Sequence, residues 1–272
     1  MSTQITVGIA QIDARLGNIE SNLDRHLACL EEARERSVDL LVFPELSLTG
    51  YRLLHLTGRL AVRPEEAPAV ARLRAEAGDM SLVVGLVEED GTGVLYNTAL
   101  LLRGGEIAQR HRKLYLPTYG IFQEGRFFGS GKKLSPPVDG IGLLICEDLW
   151  HPHLARSLAL AGAKILIVTS ASPGHLGPGD TPPSQASWEA LTQSTALVNT
   201  CWVLYCNRVG WEEGSFYTGG SHVVRPGGEI VTRAPLLEEN LLVTEIDTRE
   251  VDRLRWRLPL VDAERTDIEG AS

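Results

Sequence analysis

A chain of 272 residues with 43% hydrophobic and 22% charged residues has the composition of a folded globular protein, which excludes disorder as its ground state. Its 35 acidic and 26 basic residues leave a net charge of −9, a balance that repels a phosphate backbone and excludes nucleic acid as an expected partner. No apolar run approaches the ~20 residues that span a bilayer, and the opening MSTQITVGIAQID has no basic region with an apolar core and cleavage site, so a cytoplasmic protein with no membrane partner is expected.

The first strand is predicted over Ile5–Ile12, followed by an amphipathic helix over 18–37 with Leu23, Leu27, Leu30 and Ala33 on one face. Leu40–Phe43 (LLVF) is an unbroken apolar run of strand length, as suits a strand covered on both faces. Strand, helix and apolar strand in this order read as a parallel crossover unit. A second helix is predicted near Pro64–Ala77, and then SLVVGLVEE, VLYNTALLLR and EIAQRHRK, joined by tight Gly turns, read as an antiparallel meander.

The pattern then repeats. IGLLICEDL (Ile141–Leu149) resembles the first strand, a helix follows over His153–Ala161, and Lys164–Pro173 parallels the second strand. A helix over Ser184–Thr200, three or four further strands (CWVLYCNRV, SHVVR, EIVTR, LLVTEID) and a final helix over Thr248–Leu258 complete the chain. The expected fold class is α/β: a four-layer α-β-β-α sandwich with an internal pseudo-two-fold repeat, in one domain over residues 1–272. The tail from about residue 259 is read as extended or at an oligomer interface. A single doubly wound sheet is the alternative, but it leaves the meanders no place of their own.

Ligand sites gather where parallel strands end, and three segments qualify. Glu45 ends the second strand in VFPELSLTGY; Cys146 ends an apolar strand in GLLICEDLW; Lys113 and Glu124 lie in RHRKLYLPTYGIFQEGRFF. Taken singly, each has an ordinary reading: a capping carboxylate, an inert core thiol, a solvated strand-end charge. Together they are sharper. A thiol with an unperturbed pKa near 8.5 needs a base, and Glu45 is a candidate for it. A tetrahedral intermediate needs positive charge or N–H donors, and Lys113 is a candidate source of the charge. The chain has 22 Arg and only four Lys (Lys113, Lys132, Lys133, Lys164), so a Lys at position 113 stands out. Cys29, Cys201 and Cys206 read as reduced core residues, since the four cysteines form no CxxC pair and have no His cluster; no metal site or disulfide framework is expected. His111, His151 and His153 lie near these segments and offer a Cys–His alternative. It is the weaker one, because His111 shares the strand face of Lys113 and the other two open the helix after Cys146.

These segments resemble the nitrilase superfamily of carbon–nitrogen hydrolases, over about residues 5 to 260. The resemblance maps a Glu–Lys–Cys triad onto Glu45, Lys113 and Cys146, with a second glutamate at Glu124. It implies the same α-β-β-α fold, catalysis without a cofactor, and a homodimer or larger even-numbered homo-oligomer. It also implies a mechanism. Glu45 takes the thiol proton, Cys146 attacks an amide carbonyl, and Lys113 and the backbone N–H of Glu147 stabilise the oxyanion. Glu45 then protonates the leaving amine and activates the water that hydrolyses the thioester.

Within the superfamily, YGIFQEGRFF and ICEDLW resemble the glutaminase domains of glutamine-dependent NAD synthetases. No SGGxDS-type phosphate loop of a synthetase domain occurs, so a free-standing amidase acting on a linear non-peptide carboxamide is expected. The alternatives are an N-carbamoyl-amine hydrolase, a nitrilase, a glutaminase subunit for a separate synthetase, or a non-catalytic binding protein on the same fold. Tyr51, Tyr119, Trp150, Ser170 and His175 are the candidate pocket residues, the last two from a loop over Ser170–Pro183, with Trp211–Tyr217 as a second rim.

Overall fold

The computed structural model describes residues 3–174 and 182–265. The first half contains β1 (Gln4–Gln11), α1 (Ile19–Glu35), β2 (Leu40–Val42), α2 (Thr57–Leu60), α3 (Pro68–Ala77), β3 (Ser81–Glu89), β4 (Leu95–Arg103) and β5 (Glu106–Arg112). The second contains β6 (Ile141–Ile145), α4 (Pro152–Leu160), β7 (Ile165–Ser170), α5 (Pro183–Asn199), β8 (Trp202–Asn207), β9 (Val209–Glu212), β10 (Ser215–Thr218), β11 (His222–Val224), β12 (Ile230–Arg233), β13 (Asn240–Asp247) and α6 (Arg249–Arg257).

Two large sheets form, beside a two-stranded one of β9 and β10, so the single doubly wound sheet is set aside. One has the order β13-β1-β2-β3-β4-β5 and the other β12-β11-β8-β7-β6. In each, three parallel strands (β1-β2-β3, β6-β7-β8) pass into antiparallel ones (β4-β5, β11-β12). This is the internal repeat in structural form. The last strand, β13, returns to the first sheet and pairs antiparallel with β1.

Side-chain alternation sorts the core. Ile5, Val7 and Ile9 of β1 and Leu40 and Val42 of β2 face the second sheet, in a cluster with Leu143, Ile145, Ile167 and Leu204. Ala10, Leu41, Leu82 and Val84 face outward, where Leu30 and Ala33 of α1 and Val70 and Leu73 of α3 cover them. The facing sheets also touch through polar atoms: Trp202 Nε1 of β8 donates to Asp247 O of β13 at 3.1 Å.

Some boundaries differ from expectation for identifiable reasons. The helix expected from Pro64 begins at Pro68. A proline disfavours the helical region for the residue before it, and Ala67 is extended at φ −72°, ψ 119°. Pro68 itself suits a first helical turn, where its missing N–H has no partner to lose. At the C-terminus, Asp247 Oδ1 accepts from Arg249 N at 2.9 Å and caps α6. Trp256 of that helix is 86% exposed. Beyond the helix, Val261 is buried in the main core, and Glu264 pairs with Arg156 of α4 at 3.1 Å. Among the described residues, no helix is long and apolar enough to cross a membrane.

One glycine permits a close approach between backbone segments. The chain after β2 folds back onto β3, where Leu48 N donates to Gly85 O at 3.0 Å and Gly85 N donates to Ser47 Oγ at 3.2 Å. A Cβ at Gly85 would sit 2.3 Å from Leu46 N and 2.9 Å from Pro44 O, both backbone atoms. Gly85→Ala is therefore expected to destabilise the fold by about 1–3 kcal/mol. It should also displace the residue between them, Glu45. Thermal denaturation and a rate assay on the same variant check this.

Candidate active site

The segments singled out in the sequence meet at the C-terminal ends of the strands. Glu45 follows β2, Lys113 follows β5, Cys146 follows β6, and Ser170 ends β7. Glu45, Lys113, Glu124 and Cys146 are all buried.

Lys113 lies between two carboxylates. Its Nζ donates to Glu45 Oε1 at 2.7 Å and to Glu124 Oε1 at 2.6 Å. Glu45 is held from three sides: Asn97 Nδ2 donates to Oε1 at 2.7 Å, and the backbone N–H of Ala171 donates to Oε2 at 2.8 Å. Cys146 opens a short 3-10 turn over Cys146–Trp150 and has φ +47°, in the left-handed region. Strain of this kind at a non-glycine residue persists only where the surroundings enforce it. Ser170 Oγ donates to Cys146 Sγ at 3.4 Å. The first N–H groups of such a turn have no partner within it, which leaves the N–H of Glu147 available beside the thiol.

The electrostatics follow from burial and from this pairing. Burial, then the charge of Glu45, pushes the Cys146 thiol far above the usual cysteine range; Lys113 and Ser170 oppose this. Cys146 is therefore a thiol at rest and needs a base to become a nucleophile. Burial alone would lower Lys113, but Glu124 and Glu45 hold its ammonium well above the usual lysine range. Burial pushes Glu124 up to about 7 against the pull of Lys113. Between the ordinary glutamate pKa of about 4.3 and about 7, the folded state thus binds more protons at Glu124 than the unfolded chain does. Stability is expected to fall as pH rises through that window. Glu124→Gln should flatten that part of the curve; denaturation midpoints measured from pH 4 to 8 on both proteins check it.

The pocket residues divide. A cavity of about 450 Å³ opens beside Cys146, and Tyr119, Phe122, Glu147, Trp150, Ser172 and Trp188 are among its walls. Tyr119 and Trp150 thus lie where expected, and the Tyr119 hydroxyl donates to Glu147 Oε2 at 2.8 Å. Ser170 sits beneath the thiol rather than in the described wall. Tyr51 is absent from the described wall of that cavity and lines a smaller one together with Glu124; its hydroxyl donates to Glu124 Oε1 at 2.5 Å. The segment Trp211–Tyr217, expected as a second rim, forms most of the β9-β10 hairpin; Tyr217 bridges to Pro173 of the cavity wall, and Glu212 of β9 accepts from Tyr51 N at 3.0 Å. His175 lies outside the described residues. His111 turns away from Cys146 to Asp148, and His151 stacks on Tyr115, so neither is a base for the thiol. Among the described residues, no group of three or more His, Cys, Asp or Glu side chains has the arrangement of a metal site.

Sequence reasoning missed Asn97 and the N–H of Ala171 as holders of Glu45. Asn97 had a signal, since it is a lone amide in the apolar strand LYNTALLLR. A backbone N–H leaves none.

Comparison with known proteins places this geometry in context. The Carbon-nitrogen hydrolase family model matches residues 6–255. The glutamine-dependent NAD(+) synthetase of Thermotoga maritima is 34% identical over 269 residues, covering 96% of this chain and 45% of that protein. The chain spans about half the length of the curated relatives it matches. A carbon–nitrogen hydrolase from Helicobacter pylori G27 superposes with a TM-score of 0.87 at 28% identity, covering 97% of each chain. A glutamate-to-glutamine variant of the amidase from Nesterenkonia sp. AN1, with the acetamide moiety of fluoroacetamide added covalently to its active-site cysteine, superposes with a TM-score of 0.80 at 27% identity. It covers 97% of this chain and 94% of its own. By the family match over most of its length and by these relatives, the chain belongs to the carbon–nitrogen hydrolase family and is an enzyme of that class.

Proposed function

We propose that the protein hydrolyses a linear, non-peptide carboxamide to a carboxylic acid and ammonia through a thioester on Cys146. The single observation that carries this reading is the buried Glu45–Lys113–Glu124 array beside a strained thiol at the end of β6. Glu45 takes the thiol proton as sulfur attacks the carbonyl carbon. The negative charge that develops on the carbonyl oxygen falls to the Lys113 ammonium and the N–H of Glu147. The C–N bond breaks as Glu45 returns its proton to the departing nitrogen. Glu45 then takes a proton from water, the hydroxyl adds to the thioester carbon, and the C–S bond breaks to restore the thiol. Glu124 holds Lys113 from the side opposite Glu45. The amidase relative with a modified active-site cysteine supports covalent catalysis of this type.

The cavity suits a small substrate. The only charged side chain in its described wall is Glu147, so the end of the substrate remote from the amide meets hydroxyls, indoles and one carboxylate. That favours neutral or donor-bearing amides over anionic ones. A second reading, the glutaminase half of a glutamine-dependent synthetase, is favoured by the NAD(+) synthetase relatives, each about twice the length of this chain. An ammonia-release screen over simple carboxamides, glutamine, carbamoyl compounds and nitriles tests both, with Cys146→Ala as the control. Release from simple carboxamides supports the amidase. Release from glutamine alone moves the assignment to the second reading, and release from nitriles but not amides overturns both.

A further inference from the structure

Asp148 is fully buried two residues past the nucleophile, in a segment where a surface carboxylate would be the ordinary expectation. Its four hydrogen bonds all come from residues flanking Lys113 or Cys146. Oδ1 accepts from Leu114 N and Tyr115 N, each at 3.0 Å. Oδ2 accepts from Ile145 N at 3.1 Å and lies 2.9 Å from His111 Nε2. His111 is also fully buried, and its Nδ1 has no partner among the described residues, which assigns the donating proton to Nε2.

We infer that Asp148 is a positioning residue that sets the register between the Lys113 segment and the Cys146 turn. Lys113 leaves β5, the edge strand of the first sheet, and Cys146 leaves β6, the edge strand of the second. Facing sheets are held by apolar packing, which is not directional. Packing alone does not fix the slide of one edge along the other to the tolerance that an oxyanion contact requires, whereas directional hydrogen bonds do. A turn-capping role would need only Ile145. The other three bonds reach 33 to 37 positions along the chain, to residues on both sides of Lys113. Nor does Asp148 act as an acid or base, because four donors occupy the roughly four acceptor positions of a carboxylate. It is also absent from the described cavity wall.

The inference rests on the triad reading, and its test separates the two. Two reactions of Cys146 are compared. Acylation by p-nitrophenyl acetate passes through an oxyanion and releases nitrophenolate, so it depends on where Lys113 sits. Alkylation by iodoacetamide displaces iodide at a saturated carbon and forms no oxyanion. Acylation of the wild-type protein at Cys146 tests the triad reading itself. The ratio of acylation to alkylation in a variant, relative to wild type, tests the positioning role.

Asp148→Asn places an amide NH2 against Ile145 N or against the two N–H groups after Lys113, so the clamp opens. Acylation is expected to fall about 100-fold, the order of loss for a misplacement near 1 Å, while alkylation stays near the wild-type rate. His111→Gln removes one bond of the four and is expected to shift the ratio in the same direction by about tenfold or less. It decides the matter if Asp148→Asn does not fold. An unchanged ratio in a folded variant overturns the inference, whether both rates persist or both fall together.

Discussion

Lys113→Met is expected to abolish turnover and to destabilise the fold by about 3–5 kcal/mol, the range for removing one partner of a buried ionic cluster. Two buried carboxylates, Glu45 and Glu124, donate nothing and accept from the one Nζ between them. Without the ammonium both buried carboxylates lose their counter-charge, and loss of oxyanion stabilisation alone costs about 10²–10³ in rate. The stability loss should narrow as pH falls towards about 7, because Glu124 without the lowering pull of Lys113 takes up its proton at higher pH than in the wild type, and a protonated Glu124 no longer requires the cation. Adding Glu124→Gln to Lys113→Met should recover part of the stability and none of the activity. Denaturation of the three proteins at two pH values, with rate assays, checks each part. A folded Lys113→Met protein with wild-type turnover would remove Lys113 from the chemistry.

The second large effect is at the base. Glu45→Gln is expected to lower the acylation rate by about 10²–10⁴, the usual contribution of a positioned general base. The raised thiol makes the dependence strong, because little thiolate exists at neutral pH without an acceptor for its proton. The fold should persist. A glutamine oxygen can still accept from Lys113 and Asn97, while the amide NH2 faces Ala171 N and leaves that buried N–H unpaired, a cost of about 1–3 kcal/mol. The effect is read in kcat with KM little changed, since Glu45 is absent from the described cavity wall. A rise in KM with kcat intact would instead make Glu45 a substrate contact.

What the sequence made legible was local. The apolar runs LLVF and ILIVTS carry their strand character in their own residues, and both are buried throughout. Glu45 and Cys146 were found because each ends such a run, and strand ends are where sites form; Lys113 was found from its place after the meander, in RHRKLYLPTYGIFQEGRFF, and from the scarcity of Lys. Harder to read were the contacts that join distant segments. Ala171 N reaches Glu45 across 126 positions and Glu212 reaches Tyr51 across 161, and no periodicity encodes such pairings. Glu147 and Asp148 are adjacent acidic residues after the nucleophile, yet Glu147 lines the cavity while Asp148 is fully buried. Tyr51 was also expected in the pocket. Its ring instead packs against Phe122 and Tyr217, and its hydroxyl serves Glu124.

Mass spectrometry of the protein quenched during reaction with an amide or activated ester tests the central claim most directly. The account predicts an acyl adduct on Cys146 that forms and decays during turnover in the wild type. In Glu45→Gln the adduct should form slowly, and in Cys146→Ala it should be absent together with all hydrolysis. Hydrolysis that persists in Cys146→Ala, or an adduct on Cys29, Cys201 or Cys206 in place of Cys146, would contradict it.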